Sequence, residues 1–196
     1  MLTFIKNGEG KILNLFFQTP DKEYYLREIA RYFGKEPAYY QSALNNLVKD
    51  GILIDERKGN LRFFKLNKNH PLYSELKKIV SKTIGAEGKL KELVNKLEGV
   101  EIAFIFGSFA KDKEQIDSDI DLMLIGLVNQ DFLIERINEL EAELKREVNY
   151  QIYDRQEVIN KLKEKNSFFI NVFNQPLIIL KGNINEFEQF FERGEN

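Results

Sequence analysis

Cysteine and tryptophan are both absent from the 196 residues, and there is a single histidine, His70. Without cysteine there are no disulfides and no thiolate metal sites, and one histidine leaves little scope for imidazole ligands. His70 precedes Pro71, where a turn meets a new helix, and reads as a boundary residue. No apolar run approaches the roughly 18–20 residues that cross a bilayer. The opening stretch MLTFIKNGEGKIL has no apolar signal core followed by a small-residue cleavage site. These absences lead to the expectation of a soluble, cytoplasmic protein with no membrane partner. What is present, 43% hydrophobic residues, suffices for a core in one large domain or two small ones.

The net charge of -2 conceals an asymmetry. Residues 1–70 carry 12 Lys and Arg against 8 Asp and Glu, whereas residues 71–196 carry 17 against 23. A basic half and an acidic half suggest two modules with different partners.

In the basic half, EGKILNLFFQTP places Ile12, Leu15 and Phe16 at helical spacing, with Pro20 beyond the end. YYLREIARYFG reads as a second helix stopped by Gly34, and EPAYYQSALNNLVKDG as a third, opened by Pro37 and closed by Gly51. ILIDERKGNLRFFKLN alternates like two strands around Lys58-Gly59-Asn60, a turn that tolerates positive φ. Three helices and a basic hairpin describe a winged helix-turn-helix over residues 1–70. The stretch resembles the ArsR-like winged-helix domains of prokaryotic regulators, notably in YLREIAR, in the third helix and in LVKDGIL. That resemblance implies double-stranded DNA as a partner, with the third helix in the major groove and the wing on the backbone. Tyr39, Tyr40, Gln41 and Asn45 would lie on the polar face of that helix, and Lys35, Arg57, Lys58 and Arg62 would reach phosphates. The bland alternative makes the two tyrosines partly core, the charges a solvated surface and the wing a protein-docking unit.

HPLYSELKKIVSKTIG is helical by its Leu72, Leu76, Ile79 and Val80 spacing, giving a connector helix over 71–85 and either a homodimer seam or simple domain packing. Gly85 and Gly88 mark the boundary to a second module at 86–196.

In that module VEIAFIF is a buried strand that runs straight into Gly107-Ser108. FAKDKEQ is suited to a short helix, and DSDIDLMLIG is the next strand. Side chains two apart on a strand share a face about 7 Å apart, so Asp119 and Asp121 point the same way. Two carboxylates beside an apolar run cost desolvation energy unless a cation or hydrogen-bond donors compensate them. Mg²⁺ suits such a pair, because it takes few protein carboxylates and fills its other positions with phosphate oxygens and water. Backbone N–H groups at Gly107-Ser108, with the serine hydroxyl, are suited to gripping a phosphate chain.

Gly107-Ser108, ten intervening residues and then Asp119-x-Asp121 resembles the signature of the polymerase-β-like nucleotidyltransferases, in particular the minimal nucleotidyltransferase (MNT) group of prokaryotes, over about residues 86–182. The resemblance implies that Gly107 and Ser108 bind a nucleoside triphosphate, ATP, and that Asp119 and Asp121 hold two Mg²⁺ ions. The implied reaction is transfer of AMP to a hydroxyl, and in-line attack at phosphorus needs the positioning and charge neutralisation that two metals supply. Two departures stand out. The third carboxylate of active members falls at or near Asn149 in REVNYQIYD, where an amide neither neutralises charge nor accepts a proton, unless Glu147 substitutes. Lys111-Asp112 also replaces the common Arg-Gly after GSxA.

The expected fold is therefore a small helical domain with a wing, then an α/β or α+β domain on a mixed sheet flanked by helices, with strands at 100–106, 119–125, 147–153 and 177–181. Three functions stay open: a DNA-delivered nucleotidyltransferase, a transcriptional regulator whose degenerate second domain binds nucleotide without turnover, and an MNT-type antitoxin paired with a HEPN-type toxin. In the tail, NEFEQFFERGEN reads as an amphipathic helix anchored by Phe187, Phe190 and Phe191.

Overall fold

The first apolar stripe of the sequence, Ile12, Leu13, Leu15 and Phe16, is buried at 0–2% exposure on α1 (Gly8–Gln18). In the computed structural model, residues 8–111 and 118–190 are described, and the chain divides into two units between Gly88 and Lys89.

In the first unit α1 is followed by β1 (Tyr24–Tyr25), α2 (Leu26–Phe33) and α3 (Pro37–Lys49). Gly34 ends α2 in the left-handed region at φ 63°, where it receives no Cβ penalty, and Pro37 opens the first turn of α3. Next come β2 (Leu53–Lys58), β3 (Leu61–Leu66) and α4 (Tyr73–Thr83). The hairpin pairs Arg57 with Arg62 and Lys58 with Leu61, and the antiparallel sheet runs β1-β3-β2. The pattern reading placed Tyr24 and Tyr25 in the second helix. They instead pair with Phe64 and Phe63, because a two-residue strand has no periodicity of its own and forms through tertiary pairing. Ile29, Leu44, Leu47, Leu53, Phe64 and Leu66 close the core. So does Val80, which puts α4 in this unit's packing while Leu72 stays 54% exposed.

The second unit continues from α5 (Ala86–Lys96) through β4 (Val100–Phe106), α6 (Gly107–Ala110), β5 (Ile120–Gly126), α7 (Gln130–Leu144) and β6 (Val148–Tyr153). It ends with α8 (Arg155–Lys163), α9 (Ser167–Phe173), β7 (Ile178–Lys181) and a 3₁₀ helix, Ile184–Phe190. The four strands, each within one residue of its expected bounds, form a mixed sheet in the order β6-β5-β4-β7. β4 is antiparallel to both neighbours, and β5 pairs in parallel with β6 across the α7 crossover.

Ile102, Phe104, Phe106, Met123 and Ile125 lie on one face of the sheet and pack against Val158, Leu162, Phe169, Val172, Phe173, Ile184 and Phe187. The alternate residues Ala103, Ile105, Leu122 and Leu124 are fully buried as well, so both faces are covered. Each large side chain buried this way contributes about 1.5–3 kcal/mol of gross hydrophobic stabilisation. Such a frame tolerates polar groups only at its ends. The helix expected across 109–115 is limited to α6 among the described residues, and Asp112 lies outside them, as do Phe191 and the side chain of Phe190. Among the described residues no helix is long and apolar enough to cross a membrane.

Candidate functional site

β4 leads straight into Gly107, whose φ of +74° is a conformation that side-chain-bearing residues rarely adopt. A Cβ at this position would lie 2.2 Å from Asp121 Oδ2, so any other residue here would push the Asp121 carboxylate aside as well as strain the backbone. The register explains the proximity. Phe106, the last residue of β4, sits opposite Asp121, the second residue of β5. Ser108 follows on the first turn of α6, half-buried.

On its other side Asp121 is the register partner of Asn149 in the parallel β5–β6 pair. The Asn149 amide nitrogen donates to Asp119 Oδ2 at 3.0 Å. One amide thus neighbours both aspartates, which places the pair on a single face at the end of the sheet. Burial is the main cause of a raised Asp121 pKa, with the negative charge of Asp119 adding to it. Glu147 lies just before β6; its backbone carbonyl accepts the Ile120 N–H at 3.0 Å, and its side chain is exposed.

Among the described residues no cluster of three or more His, Cys, Asp or Glu converges. The site comprises two carboxylates, one amide and a glycine turn. That donor set fits a hard cation bound through two carboxylates and completed by phosphate oxygens, and the absence of a Cβ at Gly107 lets the Asp121 carboxylate lie directly against the turn. A cavity of about 390 Å³ elsewhere in the unit is lined by Phe173, Gln175, Leu177 and Ile179 among others, and by none of these residues.

Two supporting residues went unnoticed in the sequence. Glu141, on α7, accepts the Val148 N–H at 2.7 Å and so pins the start of β6 next to Asn149. Arg146 places its guanidinium 5.4 Å from the Phe109 ring centroid and 3.5 Å from the Ser118 hydroxyl, joining α6 to the segment that carries Asp119. Neither carries a local signal, because each acts on a chain segment brought close only by the crossover.

The expected DNA-contacting residues of the first unit fall into three groups. Tyr40 requires a correction: it is fully buried against Phe33 and Tyr39, since its position on α3 is turned towards α1 and α2. Arg62 is held by Asp55 at 2.6 Å and Asn45 at 2.7 Å, and Lys58 is paired with Glu23. Tyr39, Gln41, Lys35 and Arg57 are exposed, and neither Lys35 nor Arg57 makes an ion pair with a described residue.

Residues 88–184 match the family described as polymerase beta, nucleotidyltransferase. The second unit carries a polymerase beta-like nucleotidyltransferase domain. The match leaves the three helices and hairpin of the first unit outside it. Among solved structures, a toxin–antitoxin crystal structure with AMP-PNP is 18% identical, covering 53% of this chain and 79% of that chain at a TM-score of 0.37. The tri-AMPylated HEPN toxin of Shewanella oneidensis in complex with its MNT antitoxin is 15% identical, covering 52% and 72% at a TM-score of 0.31. No curated protein matches the chain at a significant level.

Proposed function

We propose that this chain transfers a nucleotidyl group, AMP from ATP, to a hydroxyl acceptor, with Mg²⁺ held by Asp119 and Asp121. The observation that carries the proposal is the closeness of the glycine turn to one carboxylate of the pair, since a Cβ on Gly107 would stand 2.2 Å from Asp121 Oδ2. A phosphate chain on the backbone N–H groups of Gly107-Ser108 would therefore lie beside the two aspartates. The metal supplies charge neutralisation and a clamp on the phosphate oxygens. The chain's own contribution is positioning. The turn holds the triphosphate, α6 presents the Ser108 hydroxyl, and β5 fixes the carboxylates so that the acceptor oxygen attacks in line as pyrophosphate leaves.

Asn149 favours a second reading. Its amide already donates to Asp119 and cannot accept the acceptor's proton, as suits a domain that binds nucleotide and signals without turnover. The first unit, with its three helices, hairpin and exposed Lys35, Gln41 and Arg57, is proposed to act as a winged helix on duplex DNA in either case.

The deciding experiment incubates the protein with α-labelled ATP, Mg²⁺ and cell lysate, beside Asp119→Asn/Asp121→Asn protein. Label transferred to an acceptor by wild type alone supports the enzyme. Nucleotide binding without transfer supports the sensor, and the absence of both overturns the nucleotide reading.

A further inference from the structure

Phe168 is the first phenylalanine of α9 and one of the few large apolar side chains left open in the second unit, at 36% exposure. Its aromatic neighbours are closed, with Phe106 at 9% and Phe169 at 2%. Phe168 meets Phe106 at 6.0 Å between centroids with an interplanar angle of 81°, and Phe169 at 5.5 Å and 87°. Both contacts are perpendicular, so neither ring lies flat on the face of Phe168. The Asn166 side chain accepts the N–H groups of Phe168 and Phe169 at 3.1 and 3.4 Å, which fixes the entry of α9 and with it the base of the Phe168 side chain.

The ring's location gives this geometry its meaning. Phe106, on which Phe168 leans, is the register partner of Asp121 and the chain neighbour of Gly107. Phe168 therefore stands one ring away from the turn assigned to the phosphates and from the carboxylate assigned to Mg²⁺. The ribose and base of a triphosphate seated there must extend over the surrounding surface, and Phe168 is an apolar, geometrically held ring that meets Phe106 on the side of the sheet core.

We infer that Phe168 is the stacking platform for the nucleobase. The inference rests on the nucleotide reading above and deepens it, since it names the wall that receives the base. A ring that stacks without hydrogen-bonding reads the size of a π-face and not its edge pattern. Purine nucleotides are therefore held more tightly than pyrimidine nucleotides, with little discrimination between adenine and guanine.

The chain contains no tryptophan, so Phe168→Trp places a single tryptophan, excited apart from the tyrosines, at the proposed platform. Mg²⁺ with ATP is expected to quench that fluorescence, and Mg²⁺ with inorganic triphosphate, which has no base, to leave it unchanged. By calorimetry Phe168→Leu is expected to weaken Mg²⁺-ATP binding about tenfold, a loss within the usual range for one stacked base. Its affinity for Mg²⁺-triphosphate should match that of wild type, which also verifies that the variant is folded. Equal ATP affinity in wild type and Phe168→Leu overturns the inference while leaving the nucleotide reading in place, as does wild-type binding of triphosphate as tightly as ATP. Failure of wild type to bind either compound with Mg²⁺ overturns both.

Discussion

Gly107 and Asp121 are directly adjacent: a Cβ on Gly107 would stand 2.2 Å from Asp121 Oδ2. Gly107→Ala is therefore expected to do two things. Forcing a side chain into φ +74° costs about 1–2 kcal/mol of folding stability, read from urea denaturation. Displacing the Asp121 carboxylate removes Mg²⁺-nucleotide binding, read by calorimetry. A variant that loses stability yet binds ATP as wild type does would separate the turn from the site.

The raised pKa of Asp121 gives a pH dependence with a definite sign. The folded chain keeps this carboxyl protonated over an interval in which the unfolded chain has already released the proton. Stability of the metal-free protein therefore falls as pH rises through that interval. In Asp121→Asn that contribution is gone, so the metal-free variant should equal or exceed wild type at neutral pH and converge with it in acid. Melting temperatures from about pH 3 to about pH 8 test this. Mg²⁺ with ATP at a hundredfold excess over Kd should stabilise wild type by about 2.7 kcal/mol and the variant not at all.

Asn149→Asp probes the position that departs from the family pattern. The substitution exchanges a donor to Asp119 for a third carboxylate beside the first two. Metal-free protein should lose stability through like-charge repulsion, while Mg²⁺ binds more tightly. If the domain is an enzyme slowed by a missing acid, labelled AMP transfer should rise about a hundredfold or more, within the range general-base catalysis supplies. Tighter metal binding without faster transfer would assign the domain to sensing.

In the first unit the Tyr40 hydroxyl is buried without a hydrogen-bond partner among the described residues. Removing an unsatisfied buried group recovers its desolvation cost, so Tyr40→Phe should stabilise the protein by about 1 kcal/mol. DNA affinity should remain unchanged, because the residue is core. A loss of DNA binding in a stably folded Tyr40→Phe would contradict the buried placement.

On the hairpin, Glu23 neutralises Lys58, and Asp55 holds Arg62. If duplex DNA lies against this hairpin, Glu23→Gln and Asp55→Asn should each tighten binding and steepen its salt dependence, since each makes a cation available to phosphate. Arg57→Ala should weaken binding to all sequences alike, and Gln41→Ala should instead relax preference at particular base pairs. Fluorescence anisotropy across a salt series reads these changes, and a flat response in all four variants would make the hairpin a surface without a DNA role.

The carboxylate pair and the glycine turn were readable because their logic is local. A period of two sets the face of Asp119 and Asp121, and a buried strand running into Gly-Ser announces the turn. The four strands were readable for the same reason, through dense β-branched and aromatic runs. Tyr40 was misplaced because one residue of rotation on a helix separates a groove-facing side chain from a core one, and YYQSALNN is apolar on more than one side. Glu141, Arg146 and β1 were out of reach, since each is defined by a partner distant in the chain. The pairing of Lys58 and Arg62 with acids was also hidden, because a charge count registers a cation whether or not a carboxylate already holds it.

The difference between the two strand pairings that meet at β5 bears on how such a site can change. Gly107 directly follows β4, and Asp119 and Asp121 stand at the start of β5, its antiparallel neighbour, within one short stretch of chain. Asn149 arrives separately, on a parallel strand delivered by α7. The turn and the two aspartates thus come from one continuous stretch of chain, and Asn149 is mounted on a different support. Replacement at 149 alters the charge of the site while the backbone that frames the aspartates stays as it is. If the domain acts as proposed, exchange at this one position would move it between catalysis and recognition without rebuilding the fold.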